Sequence, residues 1–124
     1  MLSSMLEGSG QKLVADICKA SRAIVFVSVP WSGPERSARR LFDEAALTLE
    51  QTHPQCHIQF FRLEVDEDAV SQEWLSSLGF SDFATMGAGS ILWLEAGRVV
   101  SGVVTANSLG VAGIVQRSTS HWGA

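Results

Sequence analysis

The sequence predicts an α/β fold in which helices cover both faces of a mixed β-sheet. Strand-like and helix-like segments alternate through the first part of the chain, which is typical of strand–helix–strand units with parallel strands. Two further strand-like runs are joined only by Ala96-Gly97, and this short connection indicates an antiparallel hairpin before a final helix. The two patterns together predict a three-layer α/β/α sandwich around a central mixed sheet.

Size and composition predict one domain spanning residues 1–124. The 124 residues are 46% hydrophobic and 18% charged, which suits a globular domain with a single core. Nine basic residues against thirteen acidic ones give a formal net charge of -4. This charge would repel a phosphate backbone, so we expect no nucleic-acid partner.

The distribution of apolar residues predicts a cytoplasmic protein that does not enter a membrane. The first ten residues lack the basic start and apolar run of a secretory signal. The longest apolar run, residues 23–29, is far shorter than the roughly 18 residues of a membrane span. Cys18 and Cys56 are too few for a disulfide-stapled secreted scaffold, so we expect reduced thiols.

Periodicity places the elements of the first half. Apolar positions predict a helix over residues 11–21, and the nearly continuous apolar run of residues 23–29 predicts a central strand. Residues 30–34 break that strand, and a long helix follows and ends before Pro54. On this helix Arg39 and Asp43 are four residues apart, a spacing that predicts an ion pair on a solvated face.

The second half is predicted by the same criteria. Residues 57–65 read as a half-buried strand and residues 69–78 as a helix, and residues 90–95 and 98–104 form the hairpin strands. Asn107 or Ser108 is the predicted N-cap of a last helix that runs to residue 118. We expect residues 119–124 to be a flexible tail in which His121 and Trp122 have no particular role.

The junction between the central strand and the long helix carries a recognisable motif. Residues 29–36 read Val-Pro-Trp-Ser-Gly-Pro-Glu-Arg, which resembles the thioredoxin active-site motif Trp-Cys-Gly-Pro-Cys followed by a basic residue. Trp31, Gly33, Pro34 and Arg36 match that motif. Element order and the terminal hairpin extend the resemblance over residues 11–118, and it implies a thioredoxin-like fold.

The chain departs from the thioredoxin pattern at the chemically decisive positions. Ser32 and Glu35 occupy the places of the two cysteines, Phe26 that of the buried acid, and Gly89 that of the cis-proline. Disulfide exchange needs a thiolate that attacks sulfur, which neither a hydroxyl nor a carboxylate provides. We therefore expect no reductase activity at this motif, no catalytic residue, no enzyme and no cofactor. A trans peptide is expected before Gly89, because a non-proline cis bond costs about 2.5–4 kcal/mol.

The substituted motif has two interpretations. Ser32 and Glu35 fit a capping box, with Ser32 as the helix N-cap and Glu35 returning to the Ser32 backbone N–H. A nucleophilic role for Ser32 is disfavoured, because the sequence places no general base near it.

The resemblance also implies a surface groove for extended peptide, although Trp31 fits equally well as a side chain packed over the helix start. The candidate peptide-binding residues are Trp31, Ser32, Gly33, Pro34, Ala88, Gly89 and Ser90.

Two functions follow from these observations. The first is a redox-inactive, non-catalytic adaptor or chaperone-like module whose partner is a protein or extended peptide. The second is an oxidoreductase or redox sensor of the thioredoxin superfamily that uses the single thiol of Cys56. His53 and His57 flank Cys56 at no recognised zinc spacing, so we expect no metal. A third role, assembly of copies through an edge strand of the sheet, stays open.

Overall fold

The computed structural model describes residues 5–29, 33, 35–65, 69–80 and 88–123. These residues form five strands, four α-helices and two short 3-10 turns, Pro54–Cys56 and Ala106–Ser108. The strands are β1 (Leu6–Gly8), β2 (Arg22–Ser28), β3 (Gln59–Glu64), β4 (Ser90–Glu95) and β5 (Arg98–Val103). The helices are α1 (Gly10–Lys19), α2 (Glu35–Thr52), α3 (Ala69–Ser77) and α4 (Gly110–Trp122).

The strands form one mixed sheet in the order β1-β3-β2-β4-β5. β3 runs parallel to both β1 and β2, whereas β4 is antiparallel to β2 and to β5. Apolar side chains of α1 and α3 pack on one face of the sheet, and those of α2 and α4 pack on the other. The predicted mixed-sheet α/β/α sandwich is confirmed. None of the described helices is long and apolar enough to cross a bilayer.

β2 is the middle of the sheet because both of its faces are apolar. Val25 and Val27 point toward α1 and α3, while Ile24 and Phe26 point toward α2 and α4. In β3, Phe60 and Phe61 enter opposite halves of the core, whereas Arg62 and Glu64 are partly exposed. The prediction of a half-buried strand fails at these two adjacent aromatics, which are both buried, and holds at Arg62 and Glu64.

β1 was not predicted from the sequence. This three-residue strand is held at the sheet edge by parallel pairing with β3 and by Arg62 on that strand. The Arg62 guanidinium forms ion pairs with Glu7 of β1 and with Asp43 of α2. Asp43 therefore pairs across to β3 and not with Arg39, and the predicted ion pair along the helix is wrong.

The C-terminal segment belongs to the fold. α4 continues to Trp122, which is only 6% exposed and donates its indole N–H to a Glu95 carboxylate oxygen at 3.0 Å. The predicted end at residue 118 and the incidental role of Trp122 are both corrected. The predicted N-cap at Asn107 or Ser108 is also wrong, because Leu109 is the N-cap of α4 and makes no side-chain cap bond. Thr105 caps the preceding 3-10 turn, where its hydroxyl oxygen accepts the Asn107 N–H.

Candidate functional site at the β2–α2 junction

The junction that carries the thioredoxin-like motif lies at the carboxyl end of β2. β2 ends at Ser28 and α2 begins at Glu35, as the strand break predicted. Gly33 is exposed, and its carbonyl oxygen accepts the Arg36 N–H at 3.1 Å. Trp31, Ser32 and Pro34 lie outside the described residues, so their predicted roles in capping and peptide binding stay predictions.

Glu35 is buried at the centre of this junction, with 1% of its surface exposed. The Ser28 hydroxyl donates to one carboxylate oxygen at 2.8 Å, and the Val29 backbone N–H donates to the other oxygen. The Arg39 guanidinium forms an ion pair with the same carboxylate and also donates to the Ser28 hydroxyl at 2.8 Å. Both oxygens of a desolvated carboxylate are therefore satisfied from inside the fold.

This cluster of Glu35, Ser28, the Val29 N–H and Arg39 joins the end of β2 to the first turns of α2. The Glu35 carboxylate also lies at the N-terminal end of α2, where the helix dipole favours an anion. Charge-assisted hydrogen bonds of this type are stronger than neutral ones. The cluster acts as a structural link at the position that the resemblance assigns to the resolving cysteine.

Phe26, at the position that the resemblance aligns with the buried acid of thioredoxins, is part of the apolar core. Its side chain is fully buried, and its ring centroid lies 5.2 Å from that of Phe42 on α2. A Cβ added at Gly89 would meet the Phe26 ring at 3.2 Å, so the ring also reaches the segment before β4. An apolar ring has no proton to give or accept, so this position provides no acid–base chemistry.

At Gly89, the predicted binding residues that precede β4 lie against α2. Its φ of +74° is in the left-handed region, and an added Cβ would lie 2.3 Å from Cβ of Ala38 on α2. The Gly89 carbonyl accepts the Ala106 N–H at 2.8 Å, and the Ser90 hydroxyl donates to the Val104 carbonyl at 2.5 Å. Gly89 and Ser90 are thus buried and bonded internally, while Ala88 is half-buried.

The peptide that precedes Gly89 is trans, as predicted, since no cis bond occurs among the described residues. Of the candidate peptide-binding residues that the structure describes, Gly33 and Ala88 contribute accessible surface. Gly89 and Ser90 support that surface from below. The part of the site with known placement is therefore small and rests on the close approach of Gly89 to α2.

Both cysteines lie at the other end of the sheet. In the β2–β3 pairing Ala23 is opposite Gln59 and Ser28 is opposite Glu64, so Cys56, just before β3, is remote from Glu35. Cys56 is 3% exposed, and its thiol donates to the Trp122 carbonyl at 3.3 Å. Cys18 is exposed on α1. Within the described ranges, no three His, Cys, Asp or Glu side chains are grouped as metal ligands.

No protein-family model and no curated protein matches this sequence. Solved structures match over nearly the whole chain. A thioredoxin from Trypanosoma brucei brucei has a TM-score of 0.69 at 13% identity, covering 95% of this chain and 90% of that one. The fold is thioredoxin-like. A mutant thioredoxin from Halobacterium salinarum has a TM-score of 0.68 at 18% identity, covering 96% of this chain and 91% of that one.

Thioredoxin f2 from Chlamydomonas reinhardtii extends the agreement, with a TM-score of 0.67, 13% identity, and coverage of 97% of this chain and 98% of that one. At such identities the likeness establishes the fold, and function has to be argued from the site.

Sequence reasoning missed two members of the Glu35 cluster in this thioredoxin-like fold, Ser28 and Arg39. Two signals were present. Ser28 is the one polar residue in the apolar run of residues 23–29, and Arg39 is four residues after Glu35, on the same helix face. A polar residue at the end of a buried strand requires a partner, and the nearest charged residues of the next helix are the natural source.

Proposed function

We propose that this chain is a redox-inactive thioredoxin-like module that binds a protein or extended peptide at the β2–α2 junction without forming a covalent bond to it. The observation that carries the proposal is the buried Glu35 carboxylate, held by Ser28, the Val29 N–H and Arg39. A group fixed in this way supports the junction and has no chemistry in common with a resolving thiol.

The burial of Cys56 also favours binding over redox catalysis. A reactive cysteine must be accessible as a thiolate, in surroundings that stabilise negative charge. Cys56 is instead enclosed under the end of α4, with its thiol hydrogen-bonded to a carbonyl oxygen. This burial argues against the single-cysteine alternative, in which Cys56 would attack a disulfide or peroxide.

The proposed binding surface combines Gly33 and Ala88 with Trp31, whose place in it is inferred from the resemblance alone. The close contact between Gly89 and Ala38 holds the segment before β4 against α2. Rigid support of this kind lowers the entropy that is lost when a partner binds. Aromatic side chains are common anchors in the recognition of extended peptides.

Affinity capture with quantitative mass spectrometry tests this proposal. Purified wild type, Trp31→Ala, Cys56→Ser and the control Arg98→Ala, an exposed position on β5, are incubated with host extract under thiol-blocking, non-reducing conditions. We expect a bound protein whose recovery falls roughly tenfold or more in Trp31→Ala, because anchor aromatics dominate such interfaces. The same protein should be retained in the other two variants.

Two results would contradict the proposal. One is a set of captured proteins that Trp31→Ala leaves unchanged, which would remove the binding role of the junction. The other is a set of mixed disulfides that disappears in Cys56→Ser, which would establish a thiol-dependent function.

A further inference from the structure

The end of α4 closes over the thiol of Cys56. Trp122, the last residue of α4, is 6% exposed, and its indole N–H donates to a Glu95 carboxylate oxygen at 3.0 Å. Its backbone carbonyl accepts the Cys56 thiol at 3.3 Å. The last carbonyl groups of a helix have no donor within the helix, so the thiol satisfies one of them. We call these three residues, Trp122, Glu95 and Cys56, the α4 latch.

Cys56 is on the fixed side of the α4 latch. The 3-10 turn that carries it is tied to the central strand, because the Arg22 guanidinium on β2 donates to the Cys56 carbonyl at 2.9 Å. Glu95, the other contact of Trp122, lies opposite Arg22 in the pairing of β2 with β4. Both contacts of Trp122 are therefore made to residues that the sheet holds in place, so opening of the latch requires the helix end to move.

The last turn of α4 is weakly held. Residues 118–120 read Ser-Thr-Ser, and both residue types have low helix propensity. The hydroxyls of Thr119 and Ser120 donate to the Gln116 carbonyl at 3.1 and 2.8 Å, and such bonds compete with the backbone bonding of a helix. Ser120 and His121 are exposed, whereas Trp122 is buried. The burial of Trp122 is therefore the interaction that holds this turn against the sheet.

The preceding part of α4 is anchored independently of the latch. Ile114 is 1% exposed and belongs to the same apolar cluster as Phe42 of α2. Ser118 is buried, and its hydroxyl accepts the indole N–H of Trp93 on β4 at 2.9 Å. These contacts lie at least one turn before Trp122, so opening of the last turn leaves them in place.

We propose that residues 119–122 open as a local unit and that this opening, not unfolding of the domain, controls access to the Cys56 thiol. Cys56 is 3% exposed while the latch is closed, so a reagent in solution has to wait for the helix end to move. Local opening of helix ends costs much less free energy than disruption of a core. The closed latch keeps this thiol unreactive, whether or not the β2–α2 junction binds a partner.

Alkylation of Cys56 by iodoacetamide, followed by intact-protein mass spectrometry, tests the proposal. The exposed Cys18 is replaced by serine in every protein compared, so that Cys56 is the thiol measured. We expect Trp122→Ala to raise the alkylation rate roughly tenfold or more, because the large side chain that holds the last turn is lost. Trp74→Ala is the matched control, since Trp74 packs on the other face of the sheet. It removes the same kind of side chain away from the latch and should leave the rate within about twofold.

The dependence of the alkylation rate on urea separates local opening from unfolding of the domain. Local opening exposes little surface, so the rate in the Cys18→Ser protein should hardly change with urea below the unfolding transition. The proposal is overturned if Trp122→Ala leaves the rate unchanged, if Trp74→Ala raises it as much, or if the rate rises with urea as steeply as global unfolding does. Trp31→Ala, which tests the junction, should leave the rate unchanged, so failure of the latch and failure of the proposed function are distinguishable.

Discussion

Replacing Glu35 with alanine is expected to lower the free energy of unfolding by about 3 kcal/mol. The substitution leaves the Val29 N–H and the Ser28 hydroxyl without their acceptor and removes the ion-pair partner of Arg39. The value is moderate for a buried carboxylate because the Arg39 side chain is 35% exposed and water can solvate its released charge. Chemical denaturation followed by far-ultraviolet circular dichroism measures the change.

Glu44→Ala is the control for this prediction, because Glu44 is on the same helix and its side chain is exposed. Its effect should stay within about 0.5 kcal/mol. Glu35→Gln keeps the shape and one acceptor oxygen, so we expect its loss to lie between those of the two alanine variants. Equal stability of Glu35→Ala and Glu44→Ala would show that the Glu35 cluster does not stabilise the junction.

Gly89→Ala is expected to destabilise the protein by about 4 kcal/mol or to prevent folding. Part of this loss comes from the left-handed backbone at Gly89, which disfavours any residue with a Cβ. The larger part comes from the clash of the new methyl group with Cβ of Ala38 at 2.3 Å and with the Phe26 ring. Neither neighbour is the end of a long flexible side chain, so the helix or the segment before β4 has to move.

Gly110→Ala separates these two contributions. Gly110 has a φ of +69°, close to the +74° of Gly89, but an added Cβ there meets no atom within 4 Å. This variant should lose only the backbone contribution, about 1 kcal/mol. If thermal denaturation shows equal losses for the two variants, the close approach of Gly89 to α2 is wrong.

The fold was predictable because its signals are local and repeated. Each main signal is visible within one short segment of the chain. These signals are the continuous apolar run of β2, the helical spacing after the proline-rich break and the short hairpin connection. β1 was missed because a three-residue edge strand has too few positions to show a period. It is held by pairing with β3 and by Arg62, which is more than fifty positions away, and no local pattern contains those contacts.

The candidate site was predictable in its location but not in its contacts. The motif correctly placed the junction, and the capping pattern assigned Glu35 a bond to the backbone N–H of Ser32, which lies outside the described residues. In the structure the carboxylate reaches the Val29 N–H and the Ser28 hydroxyl on the preceding strand. Local spacing describes contacts within a helix, whereas the chain geometry that places Glu35 under the end of β2 is a tertiary property.

The same difference explains Arg39 and Trp122. Spacing of four residues allowed Arg39 to pair with either Glu35 or Asp43, and only the position of Arg62 on β3 decides which carboxylate is available. Trp122 looked like part of a tail because the sequence after residue 118 is polar. Its indole is instead fixed by Glu95 at the end of β4, a contact between distant parts of the chain.

The most direct test of a redox-inactive thioredoxin-like module is its effect on the dithiothreitol-driven reduction of insulin disulfides, measured as turbidity with an active thioredoxin as the positive control. Wild type, Cys56→Ser and Cys18→Ser are compared at equal concentration. The buried Cys56 thiol and the substitutions Ser32 and Glu35 predict that all three proteins leave the uncatalysed rate unchanged. Acceleration by wild type that is lost in Cys56→Ser would contradict this account and establish a single-thiol oxidoreductase.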